Sequence, residues 1–578
     1  MQTEAATQQT VAVESGAEAL LATLVELGVR YIFANLGTDY PAIVEALAKA
    51  RATGRRVPEV IICQHEIVAV SAAQAYAQLT HEPQAVFVHV DVGTANMGGT
   101  IHNVARSRTP LFIFAGQTPW TTRGELHGSR TNPIQFAQDV PDQASIVRQY
   151  VKWAYEIKTP ANIRQVVERA FQIAVADPPG PVYLMAAREP LAAPVNSRAA
   201  APRRGSTVPA PSVPHDEALR TAAEWLLAAE RPLILTSYLG RHPGAVEALV
   251  ALAERLALPV LEVSAYYLNF PRDHELHLGT RAAAFLPEAD LVFVIDSDVP
   301  WLPAVTGPRP DARIIHLDID TIKARIPLAD IPADLRLEGH SELALRRLLA
   351  LLPPTLNGST RERVEARRAW ARQQHAQVWQ QHAAQALPSN GQITAALLAS
   401  ALGRVLPEDA VFLDETVSNA AATLFLTQQR RPGTYFGSGG SALGWGVGAA
   451  LGAKLAARDR DVVLAVGDGS YVFGVPTAAY WAARRYQLPF LTVIYNNVGW
   501  AAVKHATLDQ YPEGYAQRLN DFTASFAPPS DLGLVAASAG AYTERVTAPE
   551  ALEDALRRGL EETRRGRAAV LDVAITPI

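Results

Sequence analysis

The chain has 578 residues, too many for one hydrophobic core and enough for about three or four domains. A hydrophobic content of 49% with 19% charged residues is that of a globular chain, and a formal charge of -5 invites neither nucleic acid nor an anionic membrane surface. Cys63 is the single cysteine, which excludes disulfides within the chain and cysteine-cluster metal sites.

The opening residues, Met-Gln-Thr-Glu-Ala-Ala-Thr-Gln-Gln, lack the basic and apolar regions of a signal peptide, and no apolar run reaches membrane-spanning length. A cytoplasmic enzyme is the expectation. Glu14–Gly28 carries apolar residues at helical spacing and ends in a glycine. Tyr31–Asn35 reads as a strand, Ile43–Ala50 as a helix, and Glu59–Cys63 as a strand running into Gln64-His65-Glu66 and the small-residue helix Ile67–Leu79. Ala85–Val90 is a strand, Asp91–Gly99 a glycine-punctuated loop, and Leu111–Ala115 a strand ending at Gly116-Gln117. This alternation predicts an α/β domain around a parallel sheet over residues 1–190. A proline-rich linker, 191–214, follows. Strands at Pro232–Thr236, Pro259–Val263, Leu291–Ile295 and Arg313–Leu317 alternate with helices at Glu217–Ala229 and Ala245–Leu256 in a second α/β unit, 215–352. Residues 353–390 read as a linker whose helix, Arg361–Gln381, is charged and Gln-rich, a solvated bridge. A third α/β unit occupies 391–578, and each of the three is expected to be a doubly wound parallel sheet.

The third unit contains the most informative stretch. Val462–Val466 is an apolar strand, Gly467-Asp468-Gly469 a tight turn, Thr477–Tyr486 a helix, and Leu488–Tyr495 a second strand that leads into Asn496-Asn497. That βαβ unit places Asp468 and the two asparagines at the carboxyl edge of a parallel sheet, where ligands bind. A carboxylate and an amide oxygen suit Mg²⁺ completed by phosphate oxygens and water, and the N–H groups of Gly469 and Ser470 can face phosphate.

Gly-Asp-Gly-Ser with 26 residues between Gly469 and Asn496-Asn497 resembles the signature of the thiamine diphosphate (ThDP) enzymes. The three-unit plan resembles their decarboxylases and carboligases over nearly the whole chain, with pyrimidine-binding, central and diphosphate-binding domains in that order. The resemblance implies Asp468, Asn497 and the carbonyl of Gly499 as Mg²⁺ ligands, and ThDP as cofactor. It implies Glu66, in His-Glu, as the acid that contacts the aminopyrimidine N1′; a buried acid of raised pKa suits that proton transfer. A helix-start glutamate favoured by the macrodipole is the alternative for Glu66. Thr416, Ser418 and Asn419 offer donors to phosphate or form a capping cluster. The glycine run Gly437–Gly444 resembles the loop that grips the aminopyrimidine, with the Ser441 carbonyl accepting its amino group and Leu443 as the apolar wedge between the rings, or simply core.

On the substrate side, Thr38 falls where relatives place a serine or glycine. Asp91 falls near the histidine of benzoylformate decarboxylases, where it either relays protons or orients a loop. Gln117 matches the Gly-Gln of acetolactate synthases. Lys504 binds a carboxylate or faces solvent, beside Trp500 and His505. His65 and His89 read as core or loop histidines, and Cys63 as a small apolar strand residue. In the middle unit, Ser237–Arg241 and Asp296–Trp301 depart from the flavin-binding runs of acetolactate synthases and leave FAD doubtful; a structural spacer is the alternative.

The expected activity is ThDP- and Mg²⁺-dependent cleavage or formation of a C–C bond next to a carbonyl, by decarboxylation or carboligation of pyruvate or a similar short 2-oxo acid. Alternatives are a lyase or hydrolase on a hydroxyketone, an acyl-CoA or a diketone, and a non-catalytic ThDP-binding scaffold. The resemblance implies a homodimer or homotetramer with sites at the subunit interface.

Overall fold

A computed structural model of the chain describes residues 13–195, 208–329 and 331–578. The opening nine residues and the centre of the 191–214 linker lie outside the described residues. By its contacts the chain divides into one unit of residues 1–209 with Gly440–Ala442, and a second formed by the rest.

The first unit holds a six-stranded sheet of β1 (Tyr31–Asn35), β2 (Glu59–Ile62), β3 (Ala85–Val88), β4 (Phe112–Gly116), β5 (Trp153–Ile157) and β6 (Val182–Ala186), in the order β2-β1-β3-β4-β6-β5. Every pairing is parallel. β3, β4 and β6 are buried along their whole length, as strands covered by helices on both faces must be. Asp91–Gly99 is not the expected loop. It forms a helix, Val90–Asn96, abutting another, Gly98–Arg106, whose Thr100, Ile101, Asn103 and Val104 are buried; packing overrides the weak propensity of the glycines.

The second unit holds two parallel sheets. The middle one comprises β7 (Pro232–Thr236), β8 (Val260–Glu262), β9 (Leu291–Ile295), β10 (Arg313–Asp318) and β11 (Leu335–Glu338), in the order β11-β10-β9-β7-β8. The last comprises β12 (Val411–Glu415), β13 (Tyr435–Gly437), β14 (Val462–Gly467), β15 (Leu491–Asn496), β16 (Tyr542–Val546) and β17 (Ala569–Ala574), in the order β13-β12-β14-β15-β17-β16. Counted from its own first strand, this order repeats that of the first unit. The fold class is therefore as expected: three parallel-sheet α/β domains.

The charged helix spans Gly358–Gln385 and is less solvated than its composition suggests. Arg367 is buried on it and donates to the carbonyls of Ala229 and Leu256, so this helix clamps the middle sheet's own helices. Among the described residues no helix is long and apolar enough to cross a membrane.

Candidate functional site

In the second unit, β14 runs straight into a short helix, Asp468–Phe473, so Asp468 opens a helix rather than standing in a turn. Its carboxylate is buried and accepts N–H bonds from Gly469 (2.8 Å) and Gly499 (3.1 Å). Burial raises its pKa, opposed by those N–H groups. The Gly469 N–H is thus engaged by Asp468, while Ser470 is buried one residue on. Asn496 ends β15 and turns away, donating to Asp572 (2.8 Å). Asn497 faces otherwise: its Oδ1 is buried and has no hydrogen-bond partner. A buried acceptor left without a donor costs about 1–3 kcal/mol, and a cation is one way to satisfy it. Asp468 and Asn497 therefore offer a carboxylate and an unpaired amide oxygen that fit a hard cation, while the Gly499 carbonyl accepts the Ala501 N–H (3.2 Å) and keeps a second lone pair for it. Among the described residues no group of three His, Cys, Asp or Glu side chains could hold a metal, so phosphate and water would have to complete this one.

Val498, between the two proposed ligands, has φ +58°, and Val417, between Thr416 and Ser418, has φ +51°. Left-handed backbone at a β-branched residue is strained and gathers at functional loops. Thr416 is buried and turns both donors inward onto Asp414 Oδ1, from its N–H (2.9 Å) and its hydroxyl (2.7 Å). Here it secures the strand end, whereas Ser418 is exposed and Asn419 half-buried. A cavity of about 290 Å³ opens on Asp468 and Gly469, walled by Val472, Phe473, Trp500 and Phe526. Lys504 lies half-buried with its ammonium 5.1 Å from the centre of the Phe522 ring; His505 is exposed.

In the first unit, Glu66 opens the helix Glu66–Thr80 and is 3% exposed. Asn35 donates to its Oε1 (2.8 Å) and Asn96 to its Oε2 (3.2 Å). Macrodipole, two amides and burial hold one carboxyl at the end of β2. Beyond β3, His89 is clamped at both ring nitrogens: Nδ1 lies 2.5 Å from Asp39 Oδ1, and Nε2 lies 2.7 Å from Gln138 Nε2. The bond to Asp39 raises the histidine's pKa against the effect of burial. Two glycines make room for the pair. A Cβ on Gly37 would stand 2.0 Å from His89 Nδ1, and one on Gly116 would stand 1.7 Å from Asp39 Oδ2. Val90 follows at φ +21°. Asp91 lies in the first turn of its helix with Oδ1 buried and unpaired, and Gln117, just past β4, has its Oε1 in the same state. Thr38 is exposed. Ser441, in the short segment that groups with this unit, is exposed with its hydroxyl 3.1 Å from His102 Nε2.

Reading the residues missed Asp39 and undervalued His89, because their pairing spans 50 positions. The positions of Gly37 and Gly116, each just beside a strand end, were the available signal. Glu415 was missed as well. β12 continues through it, so Asp414 and Glu415 both belong to the strand. Cys63 is buried, and burial pushes its thiol up to about 12, leaving it inert.

The middle sheet's carboxyl edge is filled by its own side chains. Lys323, 2% exposed, bonds Asp318 (2.5 Å), Asp298 (3.0 Å) and the Tyr238 hydroxyl (2.9 Å). Arg241 approaches Asp296, which also accepts from Ser341 (2.6 Å). Burial pushes the Asp296 carboxyl up to about 6.

The amino-acid sequence matches three domain models of one family. Residues 14–146 match the thiamine pyrophosphate enzyme N-terminal TPP-binding domain, 219–348 the central domain, and 416–573 the C-terminal TPP-binding domain. The chain belongs to the thiamine diphosphate enzyme family. It is 26% identical to a benzoylformate decarboxylase of Pseudomonas aeruginosa over 87% of this chain and 90% of that one. It is 25% identical to the acetolactate synthase isozyme 3 large subunit of Escherichia coli, over 97% and 95%. The crystal structure of benzoylformate decarboxylase from Polynucleobacter necessarius superposes with a TM-score of 0.79 at 21% identity, covering 98% of this chain and all of that one. That likeness speaks for the fold alone.

Proposed function

We propose that the protein is a ThDP- and Mg²⁺-dependent 2-oxo acid decarboxylase, with carboligation of the same short donors as the second reading. The observation that carries this choice is the clamped histidine. Release of a decarboxylated product needs a proton delivered beside the reacting carbon. His89, tied to Asp39 and raised in pKa, is a group able to hold one. The orphaned amide oxygen of Gln117 favours the second reading, since it offers an acceptor to a second substrate.

The bound cofactor would supply a carbon nucleophile and an electron sink. The chain's own residues do the rest. Asp468, Asn497 and the Gly499 carbonyl hold Mg²⁺ against the diphosphate, with Ser418, Asn419, Ser470 and the Gly469 backbone beside it. Glu66 presents its carboxyl to the aminopyrimidine, oriented by Asn35 and Asn96. Ser441 and Leu443 shape the pyrimidine loop, and Thr38 and Asp91 face the substrate with His89. The middle domain works without a flavin, its crevice being taken by the cluster around Lys323. The site closes between two copies of the chain. Phe136 in the first unit and Phe473 in the second are each more than half exposed, as faces awaiting a partner copy would be.

The test is product analysis with pyruvate, benzoylformate and a panel of other 2-oxo acids, with ThDP and Mg²⁺ added. CO₂ with the matching aldehyde is the expected outcome. An acetohydroxy acid would select the second reading, and no CO₂ from any of them would reject both.

A further inference from the structure

Glu415 ends β12 nearly inaccessible to solvent, and among the described residues it forms no ion pair. Its carboxylate instead collects three backbone donors: Gly444 N–H (2.7 Å) and Trp445 N–H (3.1 Å) on Oε1, and Gly446 N–H (2.7 Å) on Oε2. These are the free donors at the start of the helix Trp445–Ala456, whose cap, Gly444, has no side chain to satisfy them and stands at φ +88°. The fit is close. A Cβ on Gly446 would lie 2.9 Å from Glu415 Oε2. The grip falls one residue after Leu443 and three after Ser441, where the glycine run ends.

We propose that Glu415 is a positioning residue for the cofactor, whose ionised carboxylate holds the Gly437–Gly444 run in the shape that receives the aminopyrimidine. This rests on the reading of that run as the pyrimidine loop. A carboxylate accepts three N–H bonds at once. Protonated, it turns one oxygen into a donor facing N–H groups, and part of the grip is lost. Burial pushes its pKa up to about 7 against the pull of those donors. The strand beside it presents Leu464 and Val466, and the helix above it Gly444, Trp445 and Gly446, none of them titratable; its charged neighbour is Asp414 on its own strand. A folded-state pKa above the ordinary glutamate value means that stability falls as pH rises toward about 7. Cofactor affinity rises over the same range, because the loop needs the charge. A cap serving stability alone would not set the two slopes against each other.

The experiment measures the Kd of ThDP for the full chain at saturating Mg²⁺, by titration calorimetry at about pH 6 and about pH 8, with magnesium pyrophosphate as the comparison probe. Pyrophosphate shares the diphosphate's own titration but has no pyrimidine. Wild type should bind ThDP about tenfold more weakly at the lower pH, beyond any change seen with pyrophosphate. Glu415→Gln should bind weakly at both, with that extra dependence gone. Equal pH dependence for the two probes, or wild-type ThDP affinity in Glu415→Gln, would overturn the proposal. Should the variant fail to fold, the wild-type comparison of the two probes decides alone. No ThDP binding by wild type at any pH would instead reject the functional reading beneath it.

Discussion

The first and last sheets share one strand order, yet their carboxyl edges carry opposite chemistry. Position by position, the ends correspond. After the second strand comes Glu66 in one and the glycine run Gly437–Gly444 in the other. After the third come His89 and Asp91 in one and Asp468 in the other. After the fourth come Gln117 and Asn497. The first edge gathers a carboxyl held by two amides, a histidine held by a carboxylate and an amide, and the unpaired buried oxygens of Asp91 and Gln117. The last gathers oxygen acceptors and backbone donors suited to a metal and phosphate. A single topology thus carries two different edges, because the crevice outside the strand ends is fixed by the winding, whereas its chemistry is set by one or two residues per loop.

The division can be broken most severely at the phosphate side. Asp468→Ala combined with Asn497→Ala should weaken ThDP binding in the presence of Mg²⁺ by roughly a hundredfold or more, measured by calorimetry, since both side-chain ligands of the clamp are gone. Binding at wild-type strength would mean that the last sheet is not the phosphate half. Glu66→Gln sharpens the other side. It keeps the shape and one of the two amide contacts, but cannot exchange a proton. Turnover should drop by about 10²–10⁴-fold while ThDP affinity changes by only a few-fold. Full activity in this variant would remove proton handling from the first sheet.

All three of those residues could be singled out from the amino-acid order, and the reason is local. Asp468 and Asn497 belong to one βαβ unit, so strand, turn and ligand lie in a single readable stretch, and Glu66 follows its strand within four residues. Strand positions were legible for the same reason, since runs buried on both faces are short and apolar. What escaped was made by distant pairs. Glu415 looks like the polar end of an apolar strand; its partners arrive about 30 residues later on another element. Asp39 looks like a turn residue until β3 brings His89 beside it. Residues 91–99 read as a loop because glycine and asparagine are poor helix formers, and only the packed fold outweighs them.

The smallest expected effect tests whether the first edge is a charge relay or merely a packed corner. Asp39→Asn preserves volume and removes the charge that raises the His89 pKa. A histidine whose folded pKa lies above its ordinary value of about 6.5 contributes stability that is complete below that value and is lost as pH rises through the raised one. The variant should therefore be less stable than wild type by about 1–2 kcal/mol at about pH 6, with the gap closing by about pH 9, as read from urea unfolding. The limb of the pH–rate profile that reports His89 should shift to lower pH in parallel. A stability loss of equal size at both pH values would identify the Asp39–His89 contact as packing, and the choice between decarboxylase and carboligase would then fall back on Gln117.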